Sequence, residues 1–187
     1  SSQGPGMPGP RMPPTLMCGI AGIIYRDGAQ HPIGDEITRM LQSMKHRGPD
    51  STGYALYGNG GGENGNLVMR YKLADANTPR DFDFEERLRR HRTEVESRLK
   101  ALGADIGEVE EETPYAFRVT FDYDGDLKLL ADFVEDIPEA EVLSLGRSLE
   151  IVKDLGDAET VHDQYGLSEF TGAHGIGHVR MAPESEV

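Results

Sequence analysis

A single cysteine, Cys18, stands among 187 residues, so no disulfide framework can form within the chain, and a reducing compartment such as the cytoplasm suits it. No apolar run approaches the roughly 20 residues that a membrane-crossing helix needs, so no membrane partner is expected. Positive charge is scarce as well: 19 Lys and Arg stand against 33 Asp and Glu, a formal net charge of −14. The surplus lies in the second part, since residues 17–63 carry four basic and five acidic side chains while residues 64–187 carry 14 and 28. Nucleic-acid backbones are held by clustered Lys and Arg, so the balance excludes a nucleic-acid partner and points to an acidic, solvated surface. Gly58 to Gly65 lacks the Lys-Ser/Thr ending and the helix start of a phosphate loop, and no dinucleotide fingerprint occurs. No cofactor is therefore expected on this chain, and any flavin or iron–sulfur centre would belong to a partner. His174 and His178 are four apart, but a zinc pair at that spacing needs a helix and the glycines between and around them oppose one, so no metal site is expected either.

What is present begins at Met17-Cys18-Gly19-Ile20-Ala21-Gly22-Ile23-Ile24-Tyr25. Small and β-branched residues make this a buried strand headed by the cysteine. Two readings are open for Cys18 at this point. It is a small buried hydrophobe, or, if the chain is cut after Met17, a thiol beside a free α-amine. Such an amine titrates near 8, about two units below a lysine, and can take the thiol's proton. Ser1 to Leu16 is rich in Pro and Gly with only Arg11 for charge, neither a signal nor a transit peptide, and residues 1–16 read as a disordered leader or a cloning remnant.

Further along, Asp35 is placed to cap a helix running to about Lys45, with Ile37, Met40, Leu41 and Met44 on one apolar face. Gly48-Pro49 stops it, leaving His46 to Ser51 as a loop, after which Tyr54 to Tyr57 resumes as a strand and Gly58 to Asn66 turns. Phe84 to Leu102 has Leu88, Val95, Leu99 and Leu102 at helical spacing. Ala104 to Glu110 is a short strand; Tyr115 to Tyr123 alternates strictly, the mark of a strand with one buried face. Leu127, Leu130, Val134 and Ile137 line a second helix, and Val142 to Leu145 with Leu149 to Lys153 predict a hairpin about Gly146. The order helix, two strands, helix, two strands suffices for a small α+β sandwich, read as an insertion over 67–163. The glycine-rich tail from Gly172 places Arg180 in a strand, where a guanidinium can grip a carboxylate with two prongs.

Three pieces of the chain together resemble one family, the class II glutamine amidotransferases, which are N-terminal-nucleophile hydrolases. Met17-Cys18-Gly19-Ile20 is similar to their processed start, His46-Arg47-Gly48-Pro49-Asp50-Ser51 to their glutamine-site loop, and His178-Val179-Arg180-Met181-Ala182 to their arginine motif. The resemblance implies an α+β, αββα sandwich of which this chain is the N-terminal part, built from 17–66 and 164–187. The 67–163 insertion resembles that of stand-alone amidotransferase subunits serving glutamate-synthase-type enzymes, including N-methylglutamate synthase, which implies such a partner. It also implies that Cys18 attacks the side-chain amide of glutamine, that Arg180 pairs with the α-carboxylate, and that Arg47 and Gly48 shape the pocket. Pro183 stands where the family has a threonine, and the family's asparagine-glycine oxyanion pair would fall after Val187; Asn59-Gly60 and Asn64-Gly65 read as turns. A chain that keeps residues 1–17 has an amide where the base should be, so that form is expected to be inactive. The alternatives are an inactive assembly subunit and an effector-binding module housed in the insertion.

Overall fold

In the computed structural model, which describes residues 18–44, 51–58 and 66–180, the run headed by the cysteine becomes strand β1 (Cys18–Ile24). Helix α1 (Ile33–Ser43) follows, then β2 (Ser51–Gly58), β3 (Leu67–Lys72), α2 (Phe84–Ala101), β4 (Asp105–Thr113) and β5 (Ala116–Asp122). The chain continues through α3 (Leu127–Glu135), β6 (Glu141–Gly146), β7 (Leu149–Leu155), α4 (Ala158–Gln164), one 3-10 turn (Leu167–Glu169) and β8 (Gly172–Arg180). The strands form two four-stranded antiparallel sheets, ordered β1-β8-β2-β7 and β4-β5-β3-β6. The class is α+β. Among the described residues no helix is long and apolar enough to cross a membrane.

Helix α1 packs its apolar stripe, Ile33, Ile37 and Leu41, on the inner face of the first sheet. Glycines in β8 permit the approach: a Cβ at Gly177 would lie 2.5 Å from Ile37 Cγ2 and 2.6 Å from Leu41 Cδ1. A hydroxyl cluster ties helix to sheet, with Thr38 Oγ1 donating to the Gly34 carbonyl at 2.7 Å and the Tyr54 hydroxyl to the Ala158 carbonyl at 2.9 Å. Burial pushes the Tyr54 phenol up to about 12, so it stays a donor. The expected cap is corrected. The helix begins at Ile33 after Pro32, whose ring presets φ at −74°, so Asp35 lies inside the first turn rather than before it. There its carboxylate accepts from His162 Nε2 of α4 at 2.7 Å. Met40, expected in the apolar stripe, points away and is 37% exposed, because the stripe follows Ile33, Ile37 and Leu41. Lys45, the expected helix end, lies outside the described residues, as do residues 46–50 of the expected loop and 59–65 of the expected turn, while Ser51 and Gly58, expected in that loop and that turn, are instead the first and last residues of β2.

The second sheet holds the larger surprise. Strand β3 was not expected, yet it is central, between β5 and β6, and all six of its residues are buried. Its face bearing Leu67, Met69 and Tyr71 joins Phe117, Val119 and Phe121 of β5 under the α2 stripe Phe84, Leu88, Val95 and Leu99 and under Leu130 and Val134 of α3. The helix expected over 84–102 and the alternation in β5 are present. So is the helix from Leu127, capped by Asp126, whose Oδ1 accepts from the Lys128 and Leu129 amides. The opposite face of the sheet carries Val68, Arg70, Lys72, Ala116, Arg118 and Thr120, and it meets the inward side chains of β7.

This contact explains why the expected 142–153 hairpin does not form. Strand β6 pairs with β3 in the second sheet and β7 pairs with β2 in the first. On β7, Glu150 and Asp154 are 2% and 3% exposed. Glu150 accepts from Arg70 Nε at 2.6 Å and from Arg118 Nε and Nη2 at 2.9 and 3.1 Å, while Asp154 lies 3.2 Å from Lys72 Nζ. The Tyr115 and Tyr165 hydroxyls also donate to Asp154, and Arg70 pairs with Glu112. A strand with two buried carboxylates on one side cannot lie beside β6 without separating them from these cations. The second sheet thus draws on residues 67–146, and the boundary expected at 163 does not coincide with it.

Burial raises the Glu150 carboxyl, but the Arg118 hydrogen bonds and the charge of Arg70 outweigh it and hold the group below its ordinary value. Burial prevails at Glu112, which is raised despite Arg70. Removing one partner of a buried pair leaves the other uncompensated, at about 3–5 kcal/mol. Glu150→Ala should therefore lower unfolding free energy by about that amount in urea titration; a loss below about 1 kcal/mol would mean that solvent reaches the two arginines.

His162 gives a pH signature. Burial lowers its imidazole, yet hydrogen bonds to Asp163 at 2.9 Å and Asp35 at 2.7 Å raise it overall. A group raised in the folded state stabilises fully below its unfolded value, about 6.5, and the gain is lost as pH rises through the folded value. The stability difference between the parent and His162→Gln should thus be larger at pH 5.5 than at pH 9; an equal difference at both would remove the imidazolium from the α1–α4 contact.

Candidate functional site

Register on the first sheet places its side chains in rows. In β1, β8, β2 and β7 alternate residues point inward, toward α1, α4 or the second sheet, and the other set faces outward. The first outward row is Cys18, Arg180, Ser51 and Leu155; the second is Ile20, His178, Gly53 and Lys153. Below them come Gly22, Ile176, Ala55 and Ile151, then Ile24, His174, Tyr57 and Leu149, with Tyr57 stacked on His174 at 4.2 Å. Directly opposed antiparallel residues have Cα atoms about 4.5–5.5 Å apart. Cys18 and Arg180, separated by 162 positions, thus stand side by side on one face, and both are exposed.

The buried reading of Cys18 fails, since β1 turns its odd-numbered residues inward and Cys18 outward. Gly19 is the residue that packs: a Cβ there would lie 3.0 Å from Val179 Cγ2 and 3.2 Å from Met44 Cε. Arg47 and Gly48 lie outside the described residues. Their described neighbours flank the pair, since Met44 touches Gly19 and Ser51 opposes Arg180. Met17, Met181 and Pro183 also lie outside the described residues. Sequence reasoning overlooked Ser51, His178 and Lys153 as members of this face. The signal available was period two: His178 and Arg180 share a face of any strand that holds both.

The face differs in charge from the rest of the molecule. None of its sixteen outward residues, four from each strand, is acidic, whereas Arg180, Lys153, His174 and His178 are basic, within a chain of net charge −14. It is also apolar: Ile20 is 70%, Ile24 72% and Ile176 53% exposed. His174 and His178 both face outward, but four residues of strand separate them by about 13 Å, too far for one ion. Among the described residues no group of three or more His, Cys, Asp or Glu is placed to hold a metal. A larger groove of about 500 Å³ lies away from Cys18, between the second sheet and the 163–170 segment; its walls include Arg70, Glu112, Arg118 and Glu150, the members of the buried network.

A protein of Methanothermobacter thermautotrophicus, named provisionally as a glutamine amidotransferase, is 35% identical over 173 residues, covering 91% of this chain and 54% of its own length. The glutamine amidotransferase-like protein GlxB of Rhizobium meliloti is 28% identical over 172 residues, covering 91% of this chain and 52% of its own. The chain thus spans about half the length of the curated relatives it matches. No protein-family model matches it. Glutamine amidotransferase-like similarity runs over nearly the whole chain.

The row geometry predicts a covalent outcome. Opposed positions fall within the 4.4–6.8 Å Cα range of disulfides, whereas positions two strands apart are separated by about 9.6 Å. Arg180→Cys should form an internal disulfide with Cys18 under mild oxidation, seen as a loss of two hydrogens by mass spectrometry, and Ser51→Cys should not. The reverse pattern would overturn the register.

Proposed function

We propose that this chain carries the glutamine-hydrolysing centre of a class II, N-terminal-nucleophile amidotransferase, with Cys18 as nucleophile, and that it feeds ammonia to a synthase partner of the glutamate-synthase or N-methylglutamate-synthase type. The observation that carries this reading is the pairing of Cys18 with Arg180 on one exposed face. A thiol and a guanidinium on neighbouring strands suit a substrate with an electrophilic amide at one end and a carboxylate at the other, and glutamine has both. The names of the curated relatives support the same substrate.

In this reading, processing before Cys18 frees its α-amine, which takes the thiol proton. The thiolate attacks the side-chain carbonyl carbon, and the amine returns the proton to the leaving nitrogen. Ammonia departs and a thioester remains. Water, deprotonated by the same amine, cleaves it to glutamate and restores the thiol. Arg180 holds the α-carboxylate through two parallel N–H bonds, fixing the amide over the sulfur. Arg47 and Gly48 close the pocket from the segment between Met44 and Ser51. The exposed isoleucines fit a sandwich of the αββα type, in which a second sheet, carried by the half of the longer relatives that this chain does not span, covers the outward face.

Glutaminase assay of the full-length protein tests the reading. Cys18→Ala should abolish glutamate release with the fold intact, and a form beginning at Cys18 should be active where one retaining residues 1–17 is not. Arg180→Lys replaces a fork by a point charge and should raise KM for glutamine about tenfold or more with a smaller change in kcat. Hydrolysis retained in Cys18→Ala would refute the mechanism.

A further inference from the structure

A groove of about 410 Å³ runs between helix α2 and the corner where β4 turns into β5. It lies on the α2 side of the second sheet, the side turned away from β7 and from the face that carries Cys18. One wall is a single face of α2, since Glu85, Leu88, Arg89 and Arg92 recur at helical spacing. The other wall is Glu111 of β4, Pro114 of the turn and Phe117 of β5. Between the walls the floor is apolar, made by Phe84, Leu88 and Phe117, which are buried. Arg80, from the loop before α2, completes the rim with its guanidinium 5.8 Å from the centre of the Phe84 ring.

The charges along the groove divide into matched and unmatched. Arg92 donates to Glu111 at 3.2 Å, a bridge between the two walls, and its guanidinium stands 5.0 Å from the centre of the Phe117 ring. Arg89 pairs with Glu86 of its own helix. Arg80 and Glu85 remain, both exposed, and neither pairs with a side chain of opposite charge among the described residues. The two unmatched charges have opposite signs and share the rim of one apolar groove. A simple anion would meet Glu85 and Glu111 there, and a simple cation would meet three guanidiniums, so the pattern selects against both. A solute carrying both charges answers it. A carboxylate suits the fork of Arg80, an ammonium suits Glu85, and an apolar side chain suits Leu88, Pro114 and Phe117.

We propose that this groove is a binding site for an α-amino acid with an aromatic side chain, separate from the position of glutamine against Cys18. The carboxylate lies at Arg80, the ammonium at Glu85, and the ring on the floor between α2 and Phe117. A phenyl ring fits that floor better than the side-chain amide of glutamine, which would lose its water there. The inference rests on the shape and charge of the α2 groove and stands apart from the hydrolysis reading.

The test uses the full chain with Cys18→Ala, so that turnover plays no part, and follows backbone amide resonances during titration. L-Phenylalanine is the probe; 3-phenylpropionate lacks its ammonium and 2-phenylethylamine lacks its carboxylate. L-Phenylalanine should give saturable shifts with a dissociation constant on the order of 0.1–1 mM. Each analogue should bind at least about tenfold more weakly, the scale of one charge-assisted hydrogen bond. Arg80→Gln and Glu85→Gln, both at exposed positions, should keep the parent melting temperature and weaken L-phenylalanine by a similar factor. Arg80→Gln should leave the affinity for 2-phenylethylamine as it was, and Glu85→Gln that for 3-phenylpropionate. No saturable shift, either analogue binding as tightly as L-phenylalanine, or unchanged L-phenylalanine binding in either variant would overturn the proposal.

Discussion

The two sheets are held in register by one buried set of charges. Arg70, Arg118 and Lys72 project from one face of the second sheet, and Glu150 and Asp154 come to them from a single strand of the first. Each buried ion costs several kcal/mol unless it is paired and hydrogen-bonded, so apolar packing alone would not select this arrangement. The match is directional. Glu150 and Asp154 are four apart on β7 and Arg70 and Lys72 two apart on β3, so sliding either strand by one residue turns its charges to the other face. The Tyr115 and Tyr165 hydroxyls complete the shell around Asp154. Lys72, Arg70 and their carboxylates thus fix where β7 lies, and β7 is the edge on which the rest of the first sheet is laid.

That registration reaches the candidate site by strand pairing. Leu155 of β7 opposes Ser51, Ser51 opposes Arg180, and Arg180 opposes Cys18. One row therefore runs from the edge anchored in the charge network to the edge carrying the thiol. The same strand serves both faces: Glu150 and Asp154 point into the protein while Lys153 points out between them. Helix α1 supports the row from below, with Met44, the residue that follows it, beneath Gly19.

Much of this was legible along the chain, and the failures have a common physical source. Strand β5 betrays itself by period two, β1 by its run of small and β-branched residues, and the helices by an apolar stripe. The segment Leu67–Lys72 shows none of these, because both of its faces are buried and one is filled by Arg70 and Lys72. Its cations read as surface until their partners, Glu150 and Asp154, are seen about 80 residues later. The false hairpin has the same cause, since local turn chemistry at Gly146 and Arg147 could not reveal that the two carboxylates draw β7 into the other sheet. The functional pair was legible only as separate motifs. That Cys18 and Arg180 oppose one another is a property of the β1–β8 register, which no local spacing encodes.

Glycines on the first sheet now divide by what faces them. Gly175 and Gly177 look toward α1, and their hydrogens make room for Ile37 and Leu41; the helix could not reach the sheet otherwise. Gly53 looks the opposite way, where a Cβ would make only ordinary contacts, with the Val152 carbonyl oxygen at 3.7 Å and Lys153 Cβ at 4.0 Å. A strand of Val, Ile or Thr would be more stable at that position, and its outward neighbours in β2, Ser51 and Ala55, are small as well. Across the same face the larger outward side chains of β1 and β8, Ile20, Ile24 and Ile176, stay exposed. The outward side of the first sheet is thus a low floor along β2 between higher walls on β8 and β7.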